Sequence, residues 1–112
     1  MDNKSVIAAL AALAQESRLA VFRLLVQAGP EGMAASRIAE HLGIAPSSLS
    51  FHLKELTHAG LVTHTKAGRS LIYAANFSTM NSLIGFLTEN CCGGKVCSSA
   101  RSSTCSSEGA CS

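Results

Sequence analysis

Two helical segments joined by a very short connection constrain the fold of this chain most strongly. The first segment, "AASRIAEHLG" (34–43), places Ile38 and Leu42 on one face and ends at glycine, a residue that commonly closes helices. The second segment, "PSSLSFHLKELTHAG" (46–60), opens with Pro46, which is favoured in the first helical turn. Two helices separated by so few residues predict a helix-turn-helix.

The segments on either side complete the predicted order of elements. Upstream, apolar residues recur at helical spacing over 4–14 and over 15–28, and "AGPEG" (28–32) stops the second stretch. Downstream, "LVTHTKAGRSLIYAA" (61–75) alternates apolar and polar residues around a Gly-containing loop, which predicts a β-hairpin. A fifth helix is expected to begin near Ser78, its predicted N-cap. The predicted fold is mainly α with a small β-hairpin (α+β), a winged helix-turn-helix in the order α-α-α-α-β-β-α.

Three of the helices carry apolar residues at helical spacing. The first helix supplies Val6, Ile7, Leu10, Leu13 and Ala14. The second supplies Leu19, Phe22, Leu25 and Val26. The last supplies Met80, Leu83, Ile84 and Leu87.

Length and composition favour one folded domain and no membrane span. The chain has 112 residues, of which residues 1–90 are expected to form the domain and the Cys-, Ser- and Gly-rich residues 91–112 a flexible tail. No apolar run approaches the ~18 residues that a membrane span requires. The N-terminal residues have the pattern of an amphipathic helix rather than of a signal peptide. A cytoplasmic location is therefore expected.

The fourth helix presents a face that suits DNA. Its leucines, Leu49, Leu53 and Leu56, form one stripe for the core, while the opposite side carries small hydroxyls, an aromatic ring and a cation. Hydroxyls and a helix N-terminus can contact phosphates, and short side chains let the backbone approach the bases. The alternative is a solvated Ser-rich face. The residues predicted to contact DNA are Ser47, Ser48, Ser50, Phe51, His52 and Lys54 on this helix, with Lys66 and Arg69 at the hairpin tip.

Two of these predictions have a plain alternative. His52 flanks the leucine stripe, where a histidine is more often a packing residue than a DNA ligand. A loop that carries Lys66 and Arg69 is most often only solvated, although a wing tip is also where phosphates or the minor groove are met.

The motifs together resemble the bacterial ArsR/SmtB family of metal-responsive repressors. The resemblance covers residues ~5–90 and rests on "LAQESRLAVFRLLVQAG", on "IAEHLGIAPSSLSFHLKELTHAGLV" and on the hairpin that follows. The Ser-x-His-Leu-x-x-Leu core is present as Ser50, His52, Leu53 and Leu56. The resemblance implies a winged-helix homodimer, paired through its first and last helices, that represses genes and leaves double-stranded operator DNA when an inducer binds.

The positions of the cysteines bear on the inducer. All five lie between Cys91 and Cys111, and clustered thiols in a reducing cytosol more often bind metals or sense oxidation than form structural disulfides. Other sensing positions of the family lack ligands here: "IAEHLGI" has no cysteine, and "FSTMNSLIGFLTEN" has no His or Asp. The remaining motif, Asn-Cys-Cys-Gly-Gly-x-x-Cys, resembles arsenite-responsive members that sense with C-terminal cysteines.

The chemistry of trivalent arsenic agrees with that resemblance. As(III) or Sb(III) is a soft centre with a lone pair, so three thiolates complete a trigonal pyramid. The predicted ligands are Cys91, Cys92 and Cys97, where Gly93 and Gly94 permit a chain reversal between them. This interpretation needs no organic cofactor, and it implies control of arsenic resistance genes.

Other functions stay open at this point. The same repressor could sense zinc or cadmium through four thiolates, with Cys105 or Cys111 as the fourth, or it could sense methylarsenite or thiol oxidation. A thiol-rich metal-buffering module is a further alternative. Catalysis is not expected, because the sequence has no Cys-x-x-Cys, no phosphate-binding loop, no spaced carboxylate pair and no nucleophile with a plausible base.

Overall fold

The computed structural model describes residues 1–89, which form five helices and three short strands. In chain order the elements are α1 (Asn3–Leu13), α2 (Glu16–Ala28), β1 (Met33–Ala34), α3 (Ala35–Leu42), α4 (Pro46–His58), β2 (Val62–Ala67), β3 (Ser70–Ala75) and α5 (Phe77–Leu87). The prediction of a mainly α winged helix-turn-helix with a small β wing is confirmed. The strand β1 is an addition to the predicted order, because two residues are too few to leave a periodic pattern.

The three strands form one antiparallel sheet in the order β1-β3-β2. β2 and β3 pair along their whole length and make the wing, and β1 pairs on the other side of β3, with Met33 opposite Tyr73. Just before β1, Gly32 has a φ of 75°, and a Cβ at this position would collide with the backbone carbonyl oxygen of Tyr73. Glycine therefore allows the connection from α2 to run close against β3.

Side-chain caps mark where α1 and α5 begin. Asp2 Oδ1 accepts a hydrogen bond from the backbone N–H of Ser5 at 2.9 Å, and Asn76 Oδ1 accepts one from the backbone N–H of Thr79 at 3.2 Å. The prediction of Ser78 as the cap of the fifth helix is therefore wrong, since Ser78 lies inside the first turn. Asn and Ser are both favoured caps, so the sequence pattern alone did not separate the two positions.

The core consists mainly of aliphatic side chains from all five helices and the wing. Its fully buried members include Leu25 of α2, Ile38 of α3 and Leu61 at the start of the wing. In α2, Phe22 and Leu25 of the apolar stripe are buried, but Leu19 is 43% exposed and Val21 is buried in its place. The sequence therefore located the core but not every residue that faces it.

The helices α1 and α5 leave large apolar side chains in solvent. In α1 the small residues Ala9 and Ala12 are buried beside Val6, and in α5 Leu83 is buried. The exposed members of the predicted stripes are Ile7 (65%), Leu10 (41%), Ile84 (52%) and Leu87 (58%). Only part of each apolar stripe therefore faces the core. Each of these helices is apolar on two neighbouring faces, and periodicity does not tell which of them the monomer buries.

A bend of 102° separates α1 from α2. At this corner Arg18 Nε donates a hydrogen bond of 2.7 Å to the carbonyl oxygen of Ala12, which lies in the last turn of α1. Carbonyls there lack partners within the helix, so a cation is favourable. Among residues 1–89, no single helix is long and apolar enough to cross a membrane, and α1 with α2 pass such a test only when counted together across this bend.

Candidate nucleic-acid interface

The two sides of α4 differ sharply in burial. Leu49 and Leu53 are each 2% exposed and Leu56 is fully buried, so the leucine stripe fixes the helix on the core. The exposed side chains on the remaining surface include Ser47, Ser48, Ser50, Phe51 and Lys54. The predicted division of this helix into a leucine face and a face of hydroxyls, an aromatic ring and a cation is present in the fold.

The N-terminus of α4 is open to an anion. Ala45 is the N-cap and supplies no side-chain acceptor, and Pro46 occupies the first turn. The Ala45 carbonyl accepts from the N–H of Leu49 at 2.9 Å, which is the regular helical bond. The preceding N–H groups belong to the exposed residues Ser47 and Ser48. Uncapped N–H groups at the positive end of a helix dipole favour a negatively charged group such as a DNA phosphate.

Phe51 and His52 have different environments although they are neighbours in the chain. Phe51 is 56% exposed, whereas His52 is half-buried. Their ring centroids are 5.9 Å apart and the ring planes make an angle of 64°, an edge-to-face arrangement. The Nδ1 atom of His52 is buried and has no hydrogen-bond partner among the described residues. This burial favours a packing role for that edge of the imidazole, so a DNA contact by His52 stays a prediction.

The tip of the wing exposes two cations. β2 ends at Ala67 and β3 begins at Ser70, so the turn between them consists of Gly68 and Arg69. Gly68 has a φ of 65°, as a tight two-residue hairpin turn requires. Lys66 and Arg69 are both exposed, and Lys66 lies in the strand rather than in the loop.

A pair of rings supports the wing below its tip. His64 on β2 lies opposite Tyr73 on β3, with ring centroids 5.5 Å apart and ring planes tilted by 42°. Cross-strand pairs of this kind stabilise a two-stranded ribbon. Since Tyr73 also pairs with Met33 of β1, the wing is attached through the other edge of β3 to the strand that precedes α3.

A second surface of the molecule is apolar. The helices α1 and α5 carry the exposed apolar side chains described above, and a groove of about 460 Å³ lies between α2 and α5. The groove is lined by Leu13, Leu19, Phe22, Arg23, Val26, Gln27, Leu61, Met80, Leu83 and Ile84. A surface of this composition is typical of a protein interface. In the sequence, the signal for it was the surplus of apolar residues in α1 and α5 over what one buried face requires.

The predicted thiol ligands cannot be placed in this fold. Cys91, Cys92 and Cys97 lie outside the described residues, as do Cys105 and Cys111. Within residues 1–89, no three His, Cys, Asp or Glu side chains come together in a group that could hold a metal ion. The sensing site therefore stays a prediction from the sequence.

These features define the class of the protein: a winged helix-turn-helix module with an exposed recognition helix and a basic wing tip, an architecture that binds DNA. Residues 13–65 match the family model of a helix-turn-helix domain. The chain belongs to the ArsR family of winged-helix transcriptional regulators. The members of this family are regulators rather than enzymes, so the prediction of a non-catalytic protein is confirmed.

Two relatives are similar in sequence. The chain is 34% identical over 77 residues to the HTH-type transcriptional regulator YceK of Bacillus subtilis, an alignment that covers 68% of this chain and 76% of that protein. It is 38% identical over 63 residues to a Halobacterium salinarum protein that is named as an arsenical resistance operon repressor, ArsR. The second alignment covers 56% of this chain and 48% of that protein, so the chain spans about half the length of the Halobacterium relative.

Solved structures show the same fold. An ArsR-like transcriptional regulator from Rhodococcus sp. RHA1 is 26% identical, with a TM-score of 0.70 over 81% of this chain and 83% of that one. A homodimeric winged helix-turn-helix DNA-binding domain from Mycobacterium bovis is 23% identical, with a TM-score of 0.62 over 82% of this chain and 85% of that one. At that identity, the second likeness concerns the fold alone.

Proposed function

We propose that this chain is a cytoplasmic, homodimeric repressor that binds operator DNA and releases it when As(III) or Sb(III) binds to its C-terminal cysteines. Residues 1–90 bind DNA and dimerise, residues 91–112 carry the inducer site, and the target genes confer arsenic resistance. The exposed hydroxyls, aromatic ring and cation on α4, opposite a fully buried leucine stripe, are the observation that carries the DNA-binding part. The cysteine motif and the name of the Halobacterium relative support the arsenical part.

On the operator, α4 lies in the major groove. Ser47 and Ser48 contact a phosphate at the helix N-terminus, and Ser50 and Phe51 face the bases. Lys54 on α4 and Lys66 and Arg69 on the wing neutralise phosphates. Binding should therefore weaken as the salt concentration rises. Removal of any one of these cations should reduce the slope of log K against log salt concentration by about one, the contribution of one phosphate contact.

The homodimer forms through α1 and α5. The exposed side chains of Ile7, Leu10, Ile84 and Leu87 are large and apolar, and a second copy would remove them from water. A two-fold dimer would also present one α4 helix to each half of a palindromic operator. The Mycobacterium bovis domain, which has the same fold, is named as a homodimer, in keeping with dimerisation.

Three thiols suit the proposed inducer. Thiolate sulfur is the soft ligand that As(III) prefers, and Cys91, Cys92 and Cys97 supply three of them within a short stretch that contains two glycines. Cys91 follows the end of α5 at Leu87 by four residues. Because α5 is the proposed dimer helix, an ion bound there would act on the spacing of the two recognition helices. The inducer must stabilise the dimer geometry that does not fit DNA, since only differential affinity shifts the equilibrium.

The test is operator binding by the full chain with and without arsenite. Fluorescence anisotropy of a labelled duplex measures the affinity. We expect arsenite to weaken binding by at least about tenfold, which corresponds to a coupling of roughly 1.4 kcal/mol. Cys91→Ser, Cys92→Ser and Cys97→Ser should each abolish this response while binding DNA normally. Cys105→Ser and Cys111→Ser are matched controls that should keep it.

Other outcomes identify the alternatives. A response to zinc or cadmium that also needs Cys105 or Cys111 would indicate a four-thiolate metal site. A response to peroxide alone would indicate thiol oxidation, and a response confined to methylarsenite would need only two thiols. If the full chain binds no DNA but does bind metal, a metal-buffering role replaces the proposal.

A further inference from the structure

Phe51 is the feature of α4 that the general DNA-binding role leaves unexplained. Of the four phenylalanines, Phe22 is buried in the core at 7% exposure, and Phe77 and Phe86 are half-buried, whereas Phe51 is 56% exposed. The leucine stripe already fixes α4 on the core, so the helix does not need this ring for packing. An exposed aromatic side chain is expected where it meets a partner.

The neighbours of Phe51 leave room for a partner to approach the ring. Residues three and four positions away lie beside it on a helix, and on the N-terminal side these are the exposed residues Ser48 and Ser47, which have short side chains. On the other side, Lys54 is the exposed neighbour three residues further on, and Glu55, four residues on, is half-buried. The ring therefore projects beyond the hydroxyls of the preceding turn, between those hydroxyls and a cation.

The half-buried ring of His52 limits the freedom of Phe51 on one side. The edge-to-face contact, with centroids 5.9 Å apart, gives the phenyl ring a preferred orientation before any partner binds. A partly ordered ring loses less conformational entropy on binding than a free one. His52 is in this respect a positioning residue for Phe51.

We propose that Phe51 is a specificity-determining residue that recognises the 5-methyl group of one thymine in each operator half-site. This inference rests on the proposed DNA-binding function. A phenyl ring has no hydrogen-bond donor or acceptor with which to recognise guanine, adenine or cytosine in the major groove. The thymine methyl is the one apolar group that the base edges present there, and apolar side chains including Phe contact it. The flanking hydroxyls and Lys54 contact phosphates rather than base edges.

The experiment uses the full chain and a duplex selected by it from random DNA. Each thymine of the selected site is replaced in turn by deoxyuridine, which lacks only the 5-methyl group, and affinities are measured by fluorescence anisotropy. We expect one position in each half-site at which loss of the methyl weakens wild-type binding about fourfold, the effect of one buried methyl group. Replacement in both half-sites should weaken binding about fifteenfold.

Phe51→Ala should bind the thymine duplex and the deoxyuridine duplex with the same affinity as each other. Lys54→Ala is the matched control on the same helix, since it should weaken binding to both duplexes while it keeps the difference between them. At the same position, 5-methylcytosine should bind better than cytosine to the wild type but not to Phe51→Ala. His52→Ala should reduce the thymine-to-deoxyuridine ratio without abolishing binding, an effect that a purely structural role would not produce. Because Phe51 is exposed, circular dichroism should show an unchanged fold for Phe51→Ala.

The outcomes separate the two proposals. If wild type binds no DNA, the proposed function fails. If wild type binds but no thymine methyl matters, or if Phe51→Ala keeps the same ratio, the role of Phe51 is wrong while DNA binding stands. Loss of dimerisation in Phe51→Ala would instead make the ring a protein contact and would overturn the inference.

Discussion

The helices α4 and α5 have similar apolar stripes and opposite surroundings. In α4 the residues Leu49, Leu53 and Leu56 are at most 2% exposed, whereas in α5 Leu83 is buried at 6% but Ile84 and Leu87 are more than half exposed. The monomer therefore buries the apolar face of the recognition helix, α4, by itself. It leaves that of the last helix largely exposed, where we propose that a second copy packs.

The largest effect should follow from a change in α4, because the monomer buries the apolar face of this helix. Leu53→Ala leaves a cavity in the core and should lower the free energy of unfolding by about 3 kcal/mol at any protein concentration. Leu87→Ala removes the same atoms from a side chain that is 58% exposed, so its effect on the monomer should stay below about 0.5 kcal/mol. Urea unfolding at two protein concentrations measures both. Equal losses at both sites would mean that the monomer already covers α5.

The next effect concerns assembly rather than folding. Ile84→Glu places a carboxylate in the proposed interface, where its desolvation should raise the dimer dissociation constant at least about a hundredfold. Sedimentation equilibrium measures this constant. Leu71→Glu is the matched control, because Leu71 is 42% exposed but lies on the wing strand β3. If Ile84→Glu leaves the dimer dissociation constant unchanged, α5 does not form the interface.

A smaller effect distinguishes the two candidate caps of α5. Asn76→Ala removes the acceptor for the N–H of Thr79 and should cost about 1 kcal/mol of stability, as measured by thermal unfolding. Ser78→Ala changes a residue inside the first turn and should stay within about 0.5 kcal/mol of wild type. The reverse order of effects would restore Ser78 as the cap.

The smallest effect is the pH response of the first turn of α1. Hydrogen bonds from the side chain and the backbone N–H of Ser5 hold the pKa of Asp2 below its ordinary value of 3.8. The folded carboxyl therefore binds a proton less readily than the unfolded one. Its contribution to the start of α1 is fully present above about pH 4 and is lost as the pH falls through the folded value.

The amide chemical shift of Ser5, followed by NMR from pH 6 to pH 2, reports this titration. Asp2→Asn keeps an oxygen acceptor but should show no such step. A midpoint at or above the ordinary carboxyl value would contradict the hydrogen-bonded cap.

The sequence predicted most of the fold because its local signals agree with one another. Pro46 and the short connection before it defined the start of the recognition helix, and the change from helical to alternating period located the wing. The strand β1 left no such signal, since its two residues are held by pairing with β3, which is distant in sequence.

The burial of individual residues was less predictable than the order of elements. Leu49, Leu53 and Leu56 form a single stripe in α4, and all three are buried. In α1, Ile7 and Val6 are adjacent and both apolar, yet Val6 is 4% exposed and Ile7 65%. Which of them faces the core depends on where α2 and α4 lie, and that is a property of the packed structure.

The strand β1 has a consequence for the operator. It leads into α3 without an intervening residue and is paired to β3, so the wing is linked by backbone hydrogen bonds to the start of the helix-turn-helix. The recognition helix and Arg69 at the wing tip should then move as one rigid unit. On the proposed operator, the distance between the base pairs that α4 meets and the phosphates that Arg69 meets is then fixed within each subunit. In the proposed dimer, any tolerance to operator length would therefore lie between the two half-sites.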